Sequence, residues 1–293
     1  MVLDKWSEFI DKLREFFKKR GYLEVFTPAL LDYPNLDANV EPIPVKVKRQ
    51  GTERTMWLQT SPEYSMKKLL SKYRRDMFQI AKVFRNNEHG RLHRVEFHML
   101  EWYKTGESYE YLIEEIKELL NELFGYTEFE ELTLDESFKR HLGFNLLQDK
   151  ESLQEALKER AIYYEEDEDW ETLFYRAFVE VERRLGRGKP IFIKDFPPQL
   201  SALAKVRNEV AERFELFIEG VELANGWTEE TNPEEIRRRL QREALKRDLP
   251  VDEEFIEAHR TIPDCAGCSI GVDRLFMLYL GKSSLDDIEL FKL

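Results

Sequence analysis

The chain has 293 residues, enough for one large catalytic domain or two small ones with a substantial core. Hydrophobic residues make up 42% and charged residues 35%, and there is no signal peptide and no apolar run long enough to cross a bilayer. We therefore expect a globular protein of the cytoplasm with no membrane partner. The net charge of −13 argues against non-specific binding to nucleic acid, although a local basic patch can coexist with that total.

The first half of the chain shows clear helix and strand signals. Apolar periodicity and turn residues predict, in order, a helix over 4–20 that stops at Gly21, a strand broken by Pro28, a strand that ends at Gln59, a helix with Thr60 or Ser61 as N-cap and Pro62 at its first position, and an amphipathic helix over 109–124.

The second half begins with a highly charged helical stretch over 133–188, which we interpret as an insertion. It is followed by a strand at "PIFIKDFP", an apolar hairpin at "RFELFIEGVELANG", a basic helix over 233–247, and a glycine turn that leads into an apolar helix at "CSIGVDRLFMLYLG". Several strands follow one another without crossover helices, which favours one α+β (mixed α/β) domain over 1–293 with an antiparallel-rich sheet. Cys265 and Cys268 form a lone CxxC without a second ligand pair, which favours reduced thiols over structural zinc.

Residues 95–103 are predicted to form a strand, and alternate residues of a strand share a face. Phe97 and Glu101 then lie on one face about 13 Å apart. A ring that stacks a base and an acid that holds a cation would suit an elongated ligand. The pattern alone favours the plainer alternative, in which Phe97 and Met99 belong to the core and Glu101 pairs with a surface lysine.

The hairpin presents two acids among apolar residues. A two-residue turn at Glu219-Gly220 predicts the opposed pairs Ile218 with Val221, Phe217 with Glu222, and Leu216 with Leu223. Glu215 and Glu222 are then diagonal neighbours, about 7 Å or less apart, and a Mg²⁺ ion that carries nucleotide phosphates would relieve their repulsion. Equally open is a pair in which one acid faces solvent and the other binds Arg213 or Lys205.

A third feature is "IGVDRLFML". Gly271 is predicted to open a helix whose free N–H groups favour an anion, with Arg274 in the first turn. The alternative is an ordinary helix start with Asp273 and Arg274 exposed.

Together these stretches resemble the three signature motifs of class II aminoacyl-tRNA synthetases, in their lysine-type branch. Pro28 in "VFTPAL" resembles the first motif, at the dimer interface; "FRNNE…VEFHMLEWY" resembles the second and "GVDRLFML" the third. "TSPEYSMKKLL" and "GVELANGWTEET" resemble the substrate-binding segments of lysyl-tRNA synthetases and their short paralogue. The resemblance covers nearly the whole chain and implies a class II catalytic core, ATP and Mg²⁺ as co-substrate and cofactor, and a homodimer.

The resemblance also implies roles for individual residues. Arg85 would grip the α-phosphate and the substrate carboxylate, Arg274 would contact the phosphates, and Phe97 would stack on adenine. The remaining nucleotide contacts would come from Asn86, Asn87, Glu88, Arg94, Glu222, Leu223 and Gly271, with Glu215 and Glu222 on Mg²⁺. A substrate with two ammonium groups would be bound by Ser61, Pro62, Glu63, Glu101, Tyr103 and Glu229.

The catalytic core begins almost at residue 1, so we expect no anticodon-binding domain. This short architecture, with "PDCAG" before the third motif, is similar to the elongation factor P–lysine ligase family. Its members activate lysine, preferably (R)-β-lysine, as an adenylate and pass it to a lysine side chain of elongation factor P. Two alternatives stay open: aminoacyl transfer to tRNA or a small amine, and a catalytically silent paralogue that senses an amino acid.

Three positions depart from the family pattern. Asn87 stands where an acid that meets the ATP base is expected, with Glu88 one position late, and Arg94 replaces an asparagine associated with ATP. Ser269 stands where lysyl-tRNA synthetases have glycine and the ligases alanine. Because serine is closer in volume to alanine, this position favours the ligase interpretation. Asn87 and Arg94 keep the silent-paralogue alternative open.

Overall fold

The computed structural model describes residues 1–146 and 148–288 and divides into two compact units. The first unit comprises Met1–Leu112 and the segment from Thr228 onward, and the second is Ile113–Trp227. The single domain over 1–293 stays a prediction. Among the described residues, no helix is both long enough and apolar enough to cross a membrane.

The elements alternate between helices and short strands along the chain. The helices are α1 (Val2–Lys19), α2 (Glu63–Tyr73), α3 (Tyr109–Phe124), α4 (Leu134–Leu142), α5 (Lys150–Glu159), α6 (Trp170–Glu182), α7 (Pro233–Arg247), α8 (Glu253–Ala258) and α9 (Val272–Tyr279). The strands are β1 (Leu23–Glu24), β2 (Leu30–Leu31), β3 (Ile43–Arg49), β4 (Thr52–Leu58), β5 (Met77–Phe84), β6 (Glu96–Thr105), β7 (Glu130–Thr133), β8 (Ile191–Phe196), β9 (Val206–Arg207), β10 (Val210–Ile218), β11 (Val221–Thr228) and β12 (Cys265–Gly271).

The first unit is organised around strands in the order β1-β5-β6-β12, with β1 parallel to β5 and the others antiparallel. A smaller antiparallel sheet has the order β2-β4-β3. The predicted α+β fold with an antiparallel-rich sheet is confirmed. The ladders on both sides of β6 run without a bulge, so Tyr103 lies opposite Met77 and Gly267. The predicted alternation along this strand therefore holds.

Helix α1 covers one side of this unit with an aromatic stripe. Phe9, Phe16 and Phe17 are buried, and the ring of Phe17 stacks on Phe78. The chain leaves the helix at Gly21, whose φ of +83° is accessible to glycine at no steric cost. The predicted helix over 4–20 is confirmed, with its start two residues earlier.

Two local predictions in this unit were wrong. Helix α2 begins at Glu63 with Pro62 as its N-cap, one residue later than predicted. The Ser61 hydroxyl accepts from the Glu63 N–H and also donates to Glu101, so a long-range contact fixes this helix start. The predicted glycine turn before α9 is strand β12, because Cys265–Gly271 pairs with β6 along its whole length and Gly271 has an ordinary φ of −71°.

The second unit has strands in the order β7-β8-β10-β11, with β7 parallel to β8. Helices α4, α5 and α6 pack against these strands through a core that includes Phe138, Phe174 and Phe217. The predicted helical character of 133–188 is confirmed for the residues that the structure describes. Glu219 and Gly220 have φ values of 51° and 72°, as expected for a two-residue hairpin turn with both central residues left-handed.

Candidate active site

Five residues of the predicted substrate site meet in a buried cluster of the first unit. Ser61 and Tyr103 donate hydrogen bonds to the two oxygens of Glu101, at 2.7 and 2.6 Å. Glu63 and Glu229 share a partner that is described below, and the Glu229 N–H donates to the Cys265 carbonyl at 2.9 Å. The relative exposures of Glu63, Glu101 and Glu229 are 5%, 3% and 1%. We call this cluster of three carboxylates the amine pocket.

The amine pocket contains a cation that sequence reasoning missed. Lys67 is fully buried, and its Nζ lies 2.6 Å from Glu63 Oε1 and 2.7 Å from Glu229 Oε2. It therefore bridges two of the three carboxylates. The signal was present in the sequence, since Glu63 and Lys67 have the i, i+4 spacing of a helical ion pair.

Burial dominates the electrostatics of the pocket. It raises the pKa of Glu101 to about 8, and the nearby charge of Glu63 adds to the rise while Tyr103, Ser61 and Lys67 oppose it. Burial also raises the pKa of Glu63, with the Lys67 ammonium opposing. Burial alone would lower the pKa of Lys67, but the carboxylates of Glu229 and Glu63 more than reverse that effect, so the pKa is raised. Lys67 is thus a permanent cation.

Strand β12 forms one wall of the pocket. Gly267 lies opposite Tyr103, and a Cβ added at Gly267 would lie 2.5 Å from Tyr103 Cε1 and 2.5 Å from Glu229 Oε1. Only glycine allows this approach of the ring and the carboxylate. Ser269, the third position that departs from the family pattern, lies opposite Glu101 in the same ladder and therefore beside the pocket.

The alternative of Glu101 pairing with a surface lysine is excluded by its burial and by its two hydroxyl donors. The same alternative placed Met99 and Phe97 in the core. Met99 is buried there, whereas Phe97 is half-buried. The guanidinium of Arg85 lies 5.3 Å from the centre of the Phe97 ring. The stretch 83–103 therefore presents an aromatic face with an arginine at one end and the amine pocket at the other.

Both predicted phosphate-binding arginines donate a hydrogen bond to a backbone carbonyl. Arg85 donates to the Thr60 carbonyl at 3.3 Å and lies 3.7 Å from Glu88. Arg274, in the first turn of α9, donates from Nε to the Leu92 carbonyl at 2.9 Å. Each arginine is thus oriented by a backbone carbonyl. Asp273 accepts from the His98 N–H at 2.6 Å, so it joins α9 to β6 rather than lying exposed.

The two asparagines after Arg85 bind a carboxylate of the same unit. Asn86 donates to Glu41 Oε1 at 2.7 Å, and Asn87 donates to Glu41 Oε2. The backbone N–H of Asn86 also reaches the Glu41 carbonyl at 2.9 Å. The amide at position 87, which departs from the family acid, therefore has a structural explanation: an acid there would face Glu41 with like charge. Glu41 has no counterpart among the sequence predictions.

Arg94, the second departure, is bound within the same segment and to the C-terminal region. It donates to the carbonyls of Gly90 and His93 at 2.5 and 2.8 Å and forms an ion pair with Asp286 at 2.5 Å. The Leu285 N–H reaches the Arg91 carbonyl at 3.0 Å. Arg94 thus ties the β5–β6 segment to the turn Leu285–Asp287. Its predicted contact with ATP stays a prediction.

In the second unit, the hairpin register differs from the prediction beyond the second pair. Ile218 lies opposite Val221 and Phe217 opposite Glu222, as predicted. The ladder then shifts, so Leu216 lies opposite Ala224 and not Leu223. The cause is a β-bulge, which places an extra residue on one strand.

The bulge leaves Glu215 and Glu222 on the same face, with Asn225 directly opposite Glu215. Arg213 forms a buried ion pair with Glu215 and donates to Asn225 Oδ1 at 3.1 Å. Burial raises the pKa of Glu215 to about 8; Arg213 opposes the rise and the charge of Glu222 adds to it. The pairing of Glu215 with Arg213 is the alternative left open above, and it coexists with the predicted proximity of the two acids.

Glu215 and Glu222 suit a Mg²⁺ ion only if phosphate groups supply its other ligands. No group of three or more His, Cys, Asp or Glu side chains among residues 1–146 and 148–288 could hold a metal ion alone. Mg²⁺ is commonly bound by one or two carboxylates together with substrate phosphates, which is what Glu215 and Glu222 offer. A cation there would also favour the ionised form of Glu215, whose burial otherwise disfavours it.

Comparison with known proteins places this geometry in a family. The model for class II tRNA synthetases of the D, K and N type matches residues 1–292. A protein of Aquifex aeolicus named elongation factor P–(R)-β-lysine ligase homolog is 65% identical over 97% of both chains. The chain belongs to the elongation factor P–(R)-β-lysine ligase family. Ligases of Avibacterium paragallinarum and Pectobacterium carotovorum are 38% and 39% identical, each over 98% of this chain and 94% and 93% of the relative.

Family membership confirms the resemblance inferred from the motifs and the class II identity of the α+β fold. The relatives match the chain over most of their own length, so the amine pocket and the arginines lie within the shared region. The Cys265 and Cys268 thiols are buried and free, and their odd spacing on β12 directs them to opposite faces of the strand.

Proposed function

We propose that the chain is an ATP-dependent ligase that activates lysine or (R)-β-lysine as an aminoacyl-adenylate and transfers it to a lysine side chain of elongation factor P. The amine pocket is the observation that supports this proposal most directly. Three buried carboxylates with one buried cation leave an excess of negative charge. Buried charge of one sign is costly unless a ligand compensates it, and an amino acid with two ammonium groups does so.

In the first step, the carboxylate of the substrate would attack the α-phosphorus of ATP and pyrophosphate would leave. Arg85 suits the developing negative charge, because a guanidinium can contact a carboxylate or a phosphate with two parallel hydrogen bonds. Arg274 would stabilise the same charge from the first turn of α9. Their backbone contacts to Thr60 and Leu92 orient both groups before the substrate arrives, which is the basis of electrostatic catalysis.

Phe97 would stack on adenine, and Glu88, Leu223 and Gly271 would complete the nucleotide contacts. Mg²⁺, held by Glu215 and Glu222, would neutralise phosphate charge when bound. In the second step, a neutral amine of elongation factor P would attack the mixed anhydride, which gives an amide and AMP. The amine loses a proton in that step.

We also propose a cytoplasmic homodimer that does not read an anticodon, as the family resemblance implies. Two alternatives remain. One is transfer of the amino acid to tRNA or to a small amine, and the other is a silent amino-acid sensor. Each predicts a different outcome in the experiment below.

The test is ATP–pyrophosphate exchange in the presence of lysine or (R)-β-lysine, followed by transfer of labelled amino acid. Glu229→Ala should abolish lysine-dependent exchange, because it removes a pocket carboxylate and leaves Lys67 with one partner. Glu230→Ala is the matched control, since the Glu230 carboxylate contacts the Asn232 N–H outside the pocket. Exchange by the wild type should be followed by label on elongation factor P.

Label on tRNA instead would select the tRNA alternative. Absence of exchange with any amino acid would refute the ligase and leave the sensor. Unchanged exchange in Glu229→Ala would refute the pocket assignment.

A further inference from the structure

The amine pocket contains one group that the proposed reaction does not use. Lys67 is fully buried, and its ammonium contacts Glu63 and Glu229. Its neighbour Lys68 points away from the pocket and binds Asp252 and Glu254 at 2.8 and 2.9 Å.

We propose that Lys67 is a positioning residue for substrate recognition, which holds Glu63 and Glu229 by one oxygen each and sets the charge of the amine pocket to match a substrate with two ammonium groups. This proposal rests on the proposed function. Each of the two contacts, at 2.6 and 2.7 Å, joins the Lys67 ammonium to one oxygen of a carboxylate. When all three carboxylates are ionised around a bound substrate, they and the Lys67 ammonium have a formal charge of −2, which balances two ammonium groups. In the unliganded pocket, burial favours the protonated form of Glu101.

Without Lys67 the same carboxylates would have a formal charge of −3 in a buried site. Carboxylates that share a buried site repel each other, and without Lys67 a second carboxylate, in addition to Glu101, then takes up a proton. A protonated carboxyl group must release that proton before it can pair with an ammonium group of the substrate. Removal of Lys67 should therefore weaken substrate binding most at low pH, which mere loss of packing would not do.

The other groups around the pocket do not supply this cation. The titratable groups that face it are Glu63 and Lys67 of α2, Glu101 and Tyr103 of β6, Glu229 after β11, His259 after α8, and Asp37 of the loop before β3. Burial, together with the nearby charge of Lys67, lowers the pKa of His259 to about 3, so this imidazole is neutral at physiological pH. Lys67 is the cation among these groups.

The experiment is calorimetric titration of Lys67→Met with lysine, at pH 6 and pH 8 and in two buffers of different ionisation enthalpy. We expect the Kd to rise on the order of tenfold or more, because each unit by which the pKa of a pocket carboxyl group exceeds the pH weakens binding about tenfold. The rise should be larger at pH 6, and the variant should release roughly one more proton on binding than the wild type. Lys68→Met is the matched control and should keep the wild-type Kd at both pH values.

Removal of one partner from a buried ion pair can also unfold a protein. A second comparison, Lys67→Arg against Lys67→Gln, covers that case, since only the arginine keeps the charge. A Kd for Lys67→Arg closer to the wild type than that of Lys67→Gln supports the proposal, and equal values refute it. An equal rise in Kd at both pH values without additional proton release also refutes it.

The wild-type titration distinguishes failure of the Lys67 proposal from failure of the proposed ligase function. Lysine binding without pyrophosphate exchange would refute the ligase and still test Lys67. A wild-type protein that binds no lysine would refute both.

Discussion

The tightest contact of the amine pocket gives a quantitative prediction. An alanine at position 267 would place its Cβ 2.5 Å from Glu229 Oε1 and from Tyr103 Cε1, and 2.7 Å from Tyr103 Cδ1. Distances below 3.0 Å cannot be kept, so the ring or the carboxylate must move. Gly267 does not have a positive φ, so alanine meets no backbone restriction there and the effect comes from packing alone.

We expect Gly267→Ala to lower the free energy of unfolding by about 1–3 kcal/mol, the usual cost of an overpacked core. Movement of the Tyr103 ring also breaks the hydrogen bond of its hydroxyl to Glu101, at 2.6 Å. A hydrogen bond contributes about 0.5–1.5 kcal/mol net, so the Kd for lysine should rise by about two- to tenfold.

The assay combines denaturant unfolding with calorimetric titration of lysine in the absence of ATP. Gly271→Ala is the matched control on the same strand, since its added Cβ would meet only Arg274, at 3.8 Å or more. It should keep the wild-type stability and the wild-type Kd for lysine. Wild-type values for Gly267→Ala on both measurements would refute the packing of the pocket described above.

Three further predictions concern charge. Burial raises the pKa of Glu101 to about 8 from an ordinary value of 4.5, so the stability contributed by its protonated form is present below pH 4.5 and lost as the pH rises through 8. Between pH 5 and pH 8, the free energy of unfolding should therefore fall less in Glu101→Gln than in the wild type, by on the order of 2–4 kcal/mol. An equal fall in the two proteins would contradict this. Asn87→Asp should raise the KM for ATP, because the new carboxylate would be repelled by Glu41. Addition of Glu41→Gln should return the KM of the double variant toward the wild-type value. Additive effects of the two substitutions would show that the two side chains do not interact. Arg94→Ala and Asp286→Ala should change the KM for ATP equally and by less than about fivefold, as expected for a half-exposed ion pair worth up to about 1 kcal/mol; a much larger effect of Arg94→Ala would indicate direct contact with ATP.

Local patterns were sufficient to predict much of the fold. The alternation of β6 follows from period-two spacing, and the hairpin follows from the Glu219-Gly220 turn between apolar runs. The helix start at Glu63 was missed by one residue, because a long-range hydrogen bond from Ser61 to Glu101 fixes it. The bulge in the hairpin has no local signal, since either strand could accept the extra residue.

The candidate site was predicted from the family motifs, and the residues missed are those that support it. Lys67 could have been found from its helical spacing to Glu63. Gly267 could not, because its restriction arises only when β12 pairs with β6 and the Tyr103 ring lies over it. Glu41 lies 46 residues before Asn87, and such long-range contacts leave no mark on a single sequence.

The central claim is that the amine pocket selects a substrate with two ammonium groups for activation. The most direct test is pyrophosphate exchange by the wild-type protein with lysine, (R)-β-lysine and norleucine, which has the carbon chain of lysine without the side-chain amine. We predict exchange with lysine or (R)-β-lysine and none with norleucine. Exchange with norleucine at a comparable rate, or no exchange with any of the three, would contradict it.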